Sequence, residues 1–414
     1  MTRPRLPILW MLFLLLFMGA CQSNAQDKEL KGRFTLWHSW SQNDAILLEE
    51  ALEQFEEIYP QVRIITVAMS EGQMLQEFYR VGNDGLGPGL MIGDDAWISD
   101  LANNGLIRPF STDQPTSTFF NTRNRNLVIY QDQLYGVPMS LAPYALYYNK
   151  NLVTTPPGNL DELLAEAAAD RSVAFVPRFA EAYWGIQTFG DGLFDNAERF
   201  TLAESGFTEW LGWLNEAQSA PGVISNVDDE SLLDLFASGQ ITYYVAGPEK
   251  LQEILKVMDE ENSFEVGVVP LPQGPMGSSG PLLKAETILF YTHASEAQAE
   301  IANELALFLT NQQQSIRFLR ESARVPANPS VRVDSRIYPV SNGFSQQSRT
   351  AVVLPNDIPI EPFMAAGNRA YVTVLSGSAT PEEAVCQFGL DVADLMNYAD
   401  DEMDLPDDCP QLQE

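Results

Sequence analysis

Histidine and cysteine are scarce in this 414-residue chain, which holds two of the first and three of the second. So little of either leaves no material for a metal centre or a Cys-His nucleophile, and no GxSxG pattern is present for a serine hydrolase. Basic residues are few as well: 24 Lys and Arg stand against 56 Asp and Glu, for a net charge of −32. Without a Lys/Arg run to neutralise phosphates, nucleic acid is excluded as a partner. A strongly acidic surface also repels anionic lipid headgroups. Repeats and low-complexity blocks are missing after residue 32. What remains is 45% hydrophobic and 19% charged, the composition of a packed globular protein. The length exceeds what one core usually supports, so two domains or one large α/β unit are expected.

One long apolar run exists, LPILWMLFLLLFMG at residues 6–19, preceded by Arg3 and Arg5. A bilayer span needs about 20 apolar residues, so this run fits the core of a secretory signal better than a membrane helix. It ends in Met18-Gly19-Ala20-Cys21, which resembles the lipobox of bacterial lipoproteins, with Met where Leu is more usual. The resemblance implies cleavage after residue 20 and acylation of Cys21, enough for stable anchoring to a membrane. The competing reading is an ordinary cleaved signal with a chance cysteine. Residues 21–32 then read as a polar tether. Loss of residues 1–20 removes both arginines and takes the net charge from −32 to −34. The other cysteines, Cys386 and Cys409, lie near the C-terminus in an exported setting. They read as a structural disulfide, with two free thiols as the alternative.

Along the chain, strand and helix patterns alternate. GRFTLWHSW reads as a buried strand, and Asp44 as the N-cap of a helix that Pro60 stops. QVRIITVAM is a strand, MLQEFYRVGNDG a helix ending at glycine, and GLMIGDDAWISDLANNGLIRPF a strand, loop and short helix. Later come YGVPMSLAPYALYYNKNLV with two strands around a turn, SVAFVPR as a strand and FTEWLGWLNEAQ as a helix. DESLLDLFASGQITYYVAGPEKLQEIL runs helix, strand, helix. FEVGVVPLP and AETILFYTHAS are strands, and AQAEIANELALFLTN is a helix. The alternation predicts an α/β fold with a largely parallel sheet.

The order and spacing of these segments resembles the bacterial extracellular solute-binding proteins of ABC importers, of the maltose and multiple-sugar type (family 1). The stretches that carry the resemblance are the strand-Trp-helix opening at 34–64, the GLMIGDDAWISDLANNGLIRPF segment and YGVPMSLAPYALYYNKNLV with Tyr148-Asn149-Lys150. FASGQITYYVAGP with GVVPLP, the pair ILFYTHASEAQAEIANELALFLTN, and SATPEEAV near the end complete them. It covers nearly the whole mature chain. It implies a two-lobed periplasmic-binding-protein fold of type II, with three hinge crossings and a ligand cleft between the lobes. The expected lobes are 33–141 with 287–334, and 142–286 with 335–414. Two departures stand out. Glu249 follows the Gly-Pro turn where the family often has an aromatic residue, and GPMGSSGPLLKAE lacks the usual Gly-Gly pair.

In parallel α/β sheets ligands bind beyond the carboxyl ends of strands, and the unusual residues of this chain cluster there. Trp37, His38, Trp40 and Ser41 follow the first strand; Asp94, Asp95 and Trp97 follow LMIG. Tyr144 sits at the first crossing, and Gly247, Pro248 and Glu249 follow ITYYVA. The resemblance adds Tyr183, Trp184 and Asp191 in AYWGIQTFGDGLFD. An aromatic face packs on the C–H face of a pyranose, and carboxylates accept from its hydroxyl edge, so the set suits a carbohydrate. Each residue also has a packing reading. Trp37 could fill the core, His38 hold its loop, one of Asp94 and Asp95 cap a helix, Glu249 serve its helix N-terminus, and Arg324 form a salt bridge. Of Tyr243 and Tyr244, only one can face the cleft.

These readings predict a lipid-anchored, monomeric substrate-binding component in the cell envelope, facing the periplasm or exterior. It would capture a sugar or oligosaccharide and deliver it to an ABC permease, with no cofactor and no metal. An enzyme is not expected, because no motif fixes an acid and a base at a set separation. The rivals are a polyamine or other cationic solute caged by Asp94, Asp95, Asp191 and Glu249, and a sensor lipoprotein without an importer.

Overall fold

A computed structural model describes residues 29–40, 42–112, 120–195, 198–261, 264–396, 405–406 and 409. The signal, Cys21 and Ser41 lie outside the described residues. The strands in chain order are β1 (Gly32–His38), β2 (Val62–Ala68), β3 (Leu90–Asp94), β4 (Ile129–Tyr130), β5 (Gln133–Leu134), β6 (Gly136–Leu141) and β7 (Ala145–Asn149). They continue as β8 (Val173–Phe175), β9 (Val223–Ser225), β10 (Tyr243–Ala246), β11 (Val266–Val269), β12 (Ala285–Phe290) and β13 (Val325–Pro326). Two larger sheets result, ordered β13-β6-β12-β3-β1-β2 and β11-β7-β10-β8-β9, beside the small hairpin β4-β5.

Neither large sheet is largely parallel, contrary to the sequence expectation. β1 is parallel to β2 and β3, and β8 to β9 and β10. β12 runs antiparallel to both β3 and β6, and β7 antiparallel to both β10 and β11. The reason is topological. A strand that arrives from the other sheet enters at the facing edge and runs away from it, opposite to the βαβ strands already there. The chain passes between the sheets three times: at residues 142–144, between β11 and β12, and after β13. β12 joins the first sheet at Ala285, two residues ahead of the expected boundary at 287. The second and third passages run side by side, with Leu283 N–H donating to Val352 O and Val352 N–H to Pro281 O.

The helices bury one face each. Gln42–Ile58 buries Leu47, Leu48, Ala51, Leu52 and Phe55, at the spacing of one helical stripe. Glu71–Gly82 does so with Met74, Phe78 and Val81, capped by the Ser70 hydroxyl. Ser295 and Gln298 form a capping box at the start of Glu296–Leu309. Behind the second sheet lies an aromatic core in which the Phe179 ring lies 5.4–5.8 Å from those of Tyr183, Phe207, Phe363, Tyr371 and Phe388. Cys386, on the helix Pro381–Met396, is bonded to Cys409, with 5.3 Å between Cα atoms. Leu405 packs where a side chain on Gly389 would stand. Among the described residues no helix is long and apolar enough to cross a membrane.

Candidate functional site

The strand ends that face each other across the crossings enclose a cleft of about 820 Å³. One wall comes from the ends of β1, β2, β3 and β6 and the starts of β12 and β13, through Trp40, Asp44, Glu71, Asp94, Ser140, Glu286 and Arg324. The other wall is Pro248–Lys256, after β10, and Tyr144 and Lys284 stand on the crossings between them. The volume lies within the range of about 300–1,000 Å³ usual for small-molecule sites.

Trp40 anchors the first wall. Its ring is 3% exposed, with Phe318 against it edge-on at 5.3 Å. The Arg324 guanidinium covers its face at 3.8 Å from the centroid, a cation–π arrangement. The indole N–H donates to Glu286 Oε1. Arg324 donates from Nη1 to Glu286 Oε2 at 2.5 Å and from Nη2 to Asp44 Oδ2 at 3.1 Å, while Ser140 Oγ donates to Glu286 at 3.0 Å. A register shift between Glu286 and Thr287 in β12 falls at this carboxylate; such bulges re-aim side chains beside sites. Asp44 is therefore an ion-pair partner in the first turn of Gln42–Ile58, not its cap as expected from sequence. Burial raises its pKa, against the pull of Arg324.

Glu71 and Glu249 line the cleft as solvent-exposed residues, and their charges are less committed. Burial lifts Glu71 to about 7, aided by the charges of Asp94, Glu286 and Glu249 and opposed by Lys284. Burial likewise raises Glu249, whose carboxylate folds back over Gly247 into space that a Cβ there would fill. Asp94 Oδ1 accepts from Ala96 N–H at 2.9 Å and so caps the short helical turn Asp95–Trp97. Burial, then the charge of Asp94, raises Asp95 well above the usual carboxylate range.

The structure separates the sequence candidates. Trp40, Asp94, Tyr144 and Glu249 line the cleft. Trp37, 8% exposed, points into the core against Phe78 at 6.3 Å, because the alternation along β1 turns it away from Trp40's side. His38 is buried and its Nδ1 accepts from Trp40 N–H at 3.1 Å, so it holds the loop; burial lowers its pKa. Asp95 is buried and accepts from Ala285 N–H at 2.6 Å, tying β3 to β12. Trp97 packs against Gly93, where a Cβ would stand 2.2 Å from the ring. Trp184, 1% exposed, lies 4.6 Å from Trp210 in the aromatic core. Asp191 is exposed and pairs in a β-bridge with Ser205, away from the cleft lining. Gly247 accepts from the Tyr147 hydroxyl at 2.9 Å and supports the wall from behind. Tyr243 and Tyr244 are both buried and donate to Glu166 and Asp229.

Sequence reasoning overlooked Glu71, Lys284, Glu286, Glu253 and Lys256. Glu71 follows β2 as Trp40 follows β1, so the strand-end rule would have found it. Lys284 and Glu286 sit at a strand start, which faces the cleft only because β12 is antiparallel to its neighbours. Among the described residues no group of His, Cys, Asp and Glu could hold a metal ion.

The family described as bacterial extracellular solute-binding protein matches residues 50–337. A galactooligosaccharide-binding protein of Bacillus subtilis is 22% identical over 400 residues, covering 90% of this chain and 92% of its own. A maltotriose-binding protein of Pyrococcus abyssi is 24% identical over 348 residues, covering 78% of this chain and 73% of its own. Among solved structures, a cyclo/maltodextrin-binding protein complexed with maltotetraose aligns with a TM-score of 0.75 at 19% identity, over 88% of this chain and 97% of its own. The GacH receptor of Streptomyces glaucescens, solved unliganded and with acarbose, aligns with a TM-score of 0.76 at 19% identity, over 89% and 100%. At these identities the structural likeness speaks for the two-lobed fold.

Proposed function

Because the chain belongs to the family of bacterial extracellular solute-binding proteins, we propose that it captures a sugar or oligosaccharide in the cleft between its two lobes. The observation that carries this is the cleft itself, open between two sheets and lined from both sides by hydroxyl, carboxylate and ammonium groups. Neutral polyols donate to carboxylates and accept from ammonium groups, so a wall of both signs serves a saccharide well. The relatives named for galactooligosaccharide and maltotriose support the same class.

A polyamine suits this cleft less well. The cation–π face of Trp40 already holds Arg324, and Lys250, Lys256 and Lys284 line the same space. A second cation would meet four positive charges beside the six carboxylates, and the Trp40 face that would cage it is taken. Tyr144 is the aromatic ring left to line the middle of the cleft, and burial, with Glu249 nearby, holds its phenol neutral.

Closure of the lobes would deliver the filled cleft to the permease of an ABC importer, with the protein acting as a monomer. Lobes of 33–141 with 285–334 and 142–284 with 335–414, moving about the three crossings, fit this role. Acylation at Cys21 would hold the protein at the cell envelope. A thermal-shift screen tests the solute class. Saturating maltotriose or a galactooligosaccharide at about 100 Kd should add roughly 2.7 kcal/mol of stability, and spermidine should add none. Stabilisation by spermidine alone would overturn the sugar reading.

A further inference from the structure

Lys284 occupies a singular place in the fold, immediately before β12 at the end of the second crossing. Its carbonyl accepts from Ala142 N–H of the first crossing at 2.8 Å, and the N–H of the next residue, Ala285, is held by Asp95. The backbone is thus pinned where two crossings run together, and the side chain lines the cleft. Lys250 is paired with Asp229, and Arg324 with Glu286 and Asp44, while Lys256 is an exposed residue of the second wall and off the crossings. Among the described residues the Lys284 ammonium has no hydrogen-bond or ion-pair partner. Carboxylates surround it at longer range from both sides: Asp94 and Asp95 from the first lobe, Glu249 and Glu181 from the second. Burial works against its charge, and these carboxylates outweigh burial to hold it above the usual lysine range.

Each wall carries carboxylates as well as cations, and the carboxylates outnumber the cations six to four. Glu71 and Asp94 face Glu249, and the three repel one another more strongly as the walls approach. Lys284 travels with β12 on the first wall and attracts Glu249 on the second. We propose that Lys284 is an electrostatic latch, a lone positive charge on the crossing that offsets carboxylate repulsion and sets how readily the cleft closes. The proposal rests on reading the cleft as a solute site that closes, but its test needs no solute.

Small-angle scattering of the solute-free protein reads the effect. Lys284→Met removes the positive charge on the crossing and leaves the repulsion of Glu71 and Asp94 with Glu249 less offset, so its radius of gyration should exceed that of the wild type. Lys284→Arg, which keeps the charge, should match the wild type. Adding Glu249→Gln to Lys284→Met should bring the radius back to that of the Glu249→Gln single variant. If Lys284→Met does not fold, Lys284→Gln should give the same order. Equal radii for the wild type and the uncharged variant would overturn the latch, as would an expansion that Glu249→Gln fails to reverse. A solute screen without a saccharide hit would leave this ordering intact, so the two readings fail separately.

Discussion

A tryptophan beyond a strand end can be a platform for a ligand or a pillar for its neighbours, and its faces tell which. Trp40 has Arg324 on one face, Phe318 edge-on and Glu286 on its N–H. It is a pillar whose edge reaches the cleft. Trp40→Ala should cost about 3–5 kcal/mol, the usual range for a buried Trp, and release Arg324 and Glu286 together. Urea denaturation checks this, and an unchanged midpoint would contradict it. Glu71 carries a pH dependence. A carboxyl raised to about 7 stabilises the fold fully below its unfolded pKa of about 4.3, and that contribution fades as pH rises through about 7. Since Glu71 stays solvent-accessible in the cleft, water reduces the effect below the full shift. Glu71→Gln should melt above the wild type at pH 8, and the gap should close by pH 4; an equal gap at both would contradict the assignment. At this scale the sequence is a partial guide. It places Trp40, Asp94, Tyr144 and Glu249 beyond strand ends, but not which way each ring or carboxylate turns. Trp37 lies within β1 and turns to the core, while Trp40 lies beyond its end and reaches the cleft.

Among elements, the bridge between Cys386 and Cys409 ties the chain's last described residue to the helix Pro381–Met396 across a separation of 23 residues. Loop closure of that length contributes about 3 kcal/mol in the chain-entropy model. Replacing both cysteines by serine should lower stability by about that amount, read as a fall in Tm, without changing solute affinity, because neither cysteine lines the cleft. Strands with several buried residues, such as β1, β3 and β12, were legible from composition and alternation. The two-residue strands β4, β5 and β13 were not, since pairing with a neighbour defines them and a local pattern does not. The parallel sheets expected from alternating elements became mixed sheets for a similar reason. Strand direction at a crossing is set by where the chain comes from, and no periodicity records that.

For the molecule as a whole, two sheets joined by three crossings leave one deep space in which distant segments meet. Residues 40, 71, 94, 249, 284 and 324 share that space, and only the fold brings them together. Resemblance of ordered segments was enough to expect the two lobes, while the charge pattern inside the cleft arises only once the fold brings those segments together. The central claim, that this cleft takes a saccharide, is tested most directly by calorimetric titration of the protein with maltotriose, a galactooligosaccharide and spermidine. The account predicts saturable one-to-one binding of at least one saccharide and no heat of binding with spermidine. Binding of spermidine with none of either saccharide would contradict it.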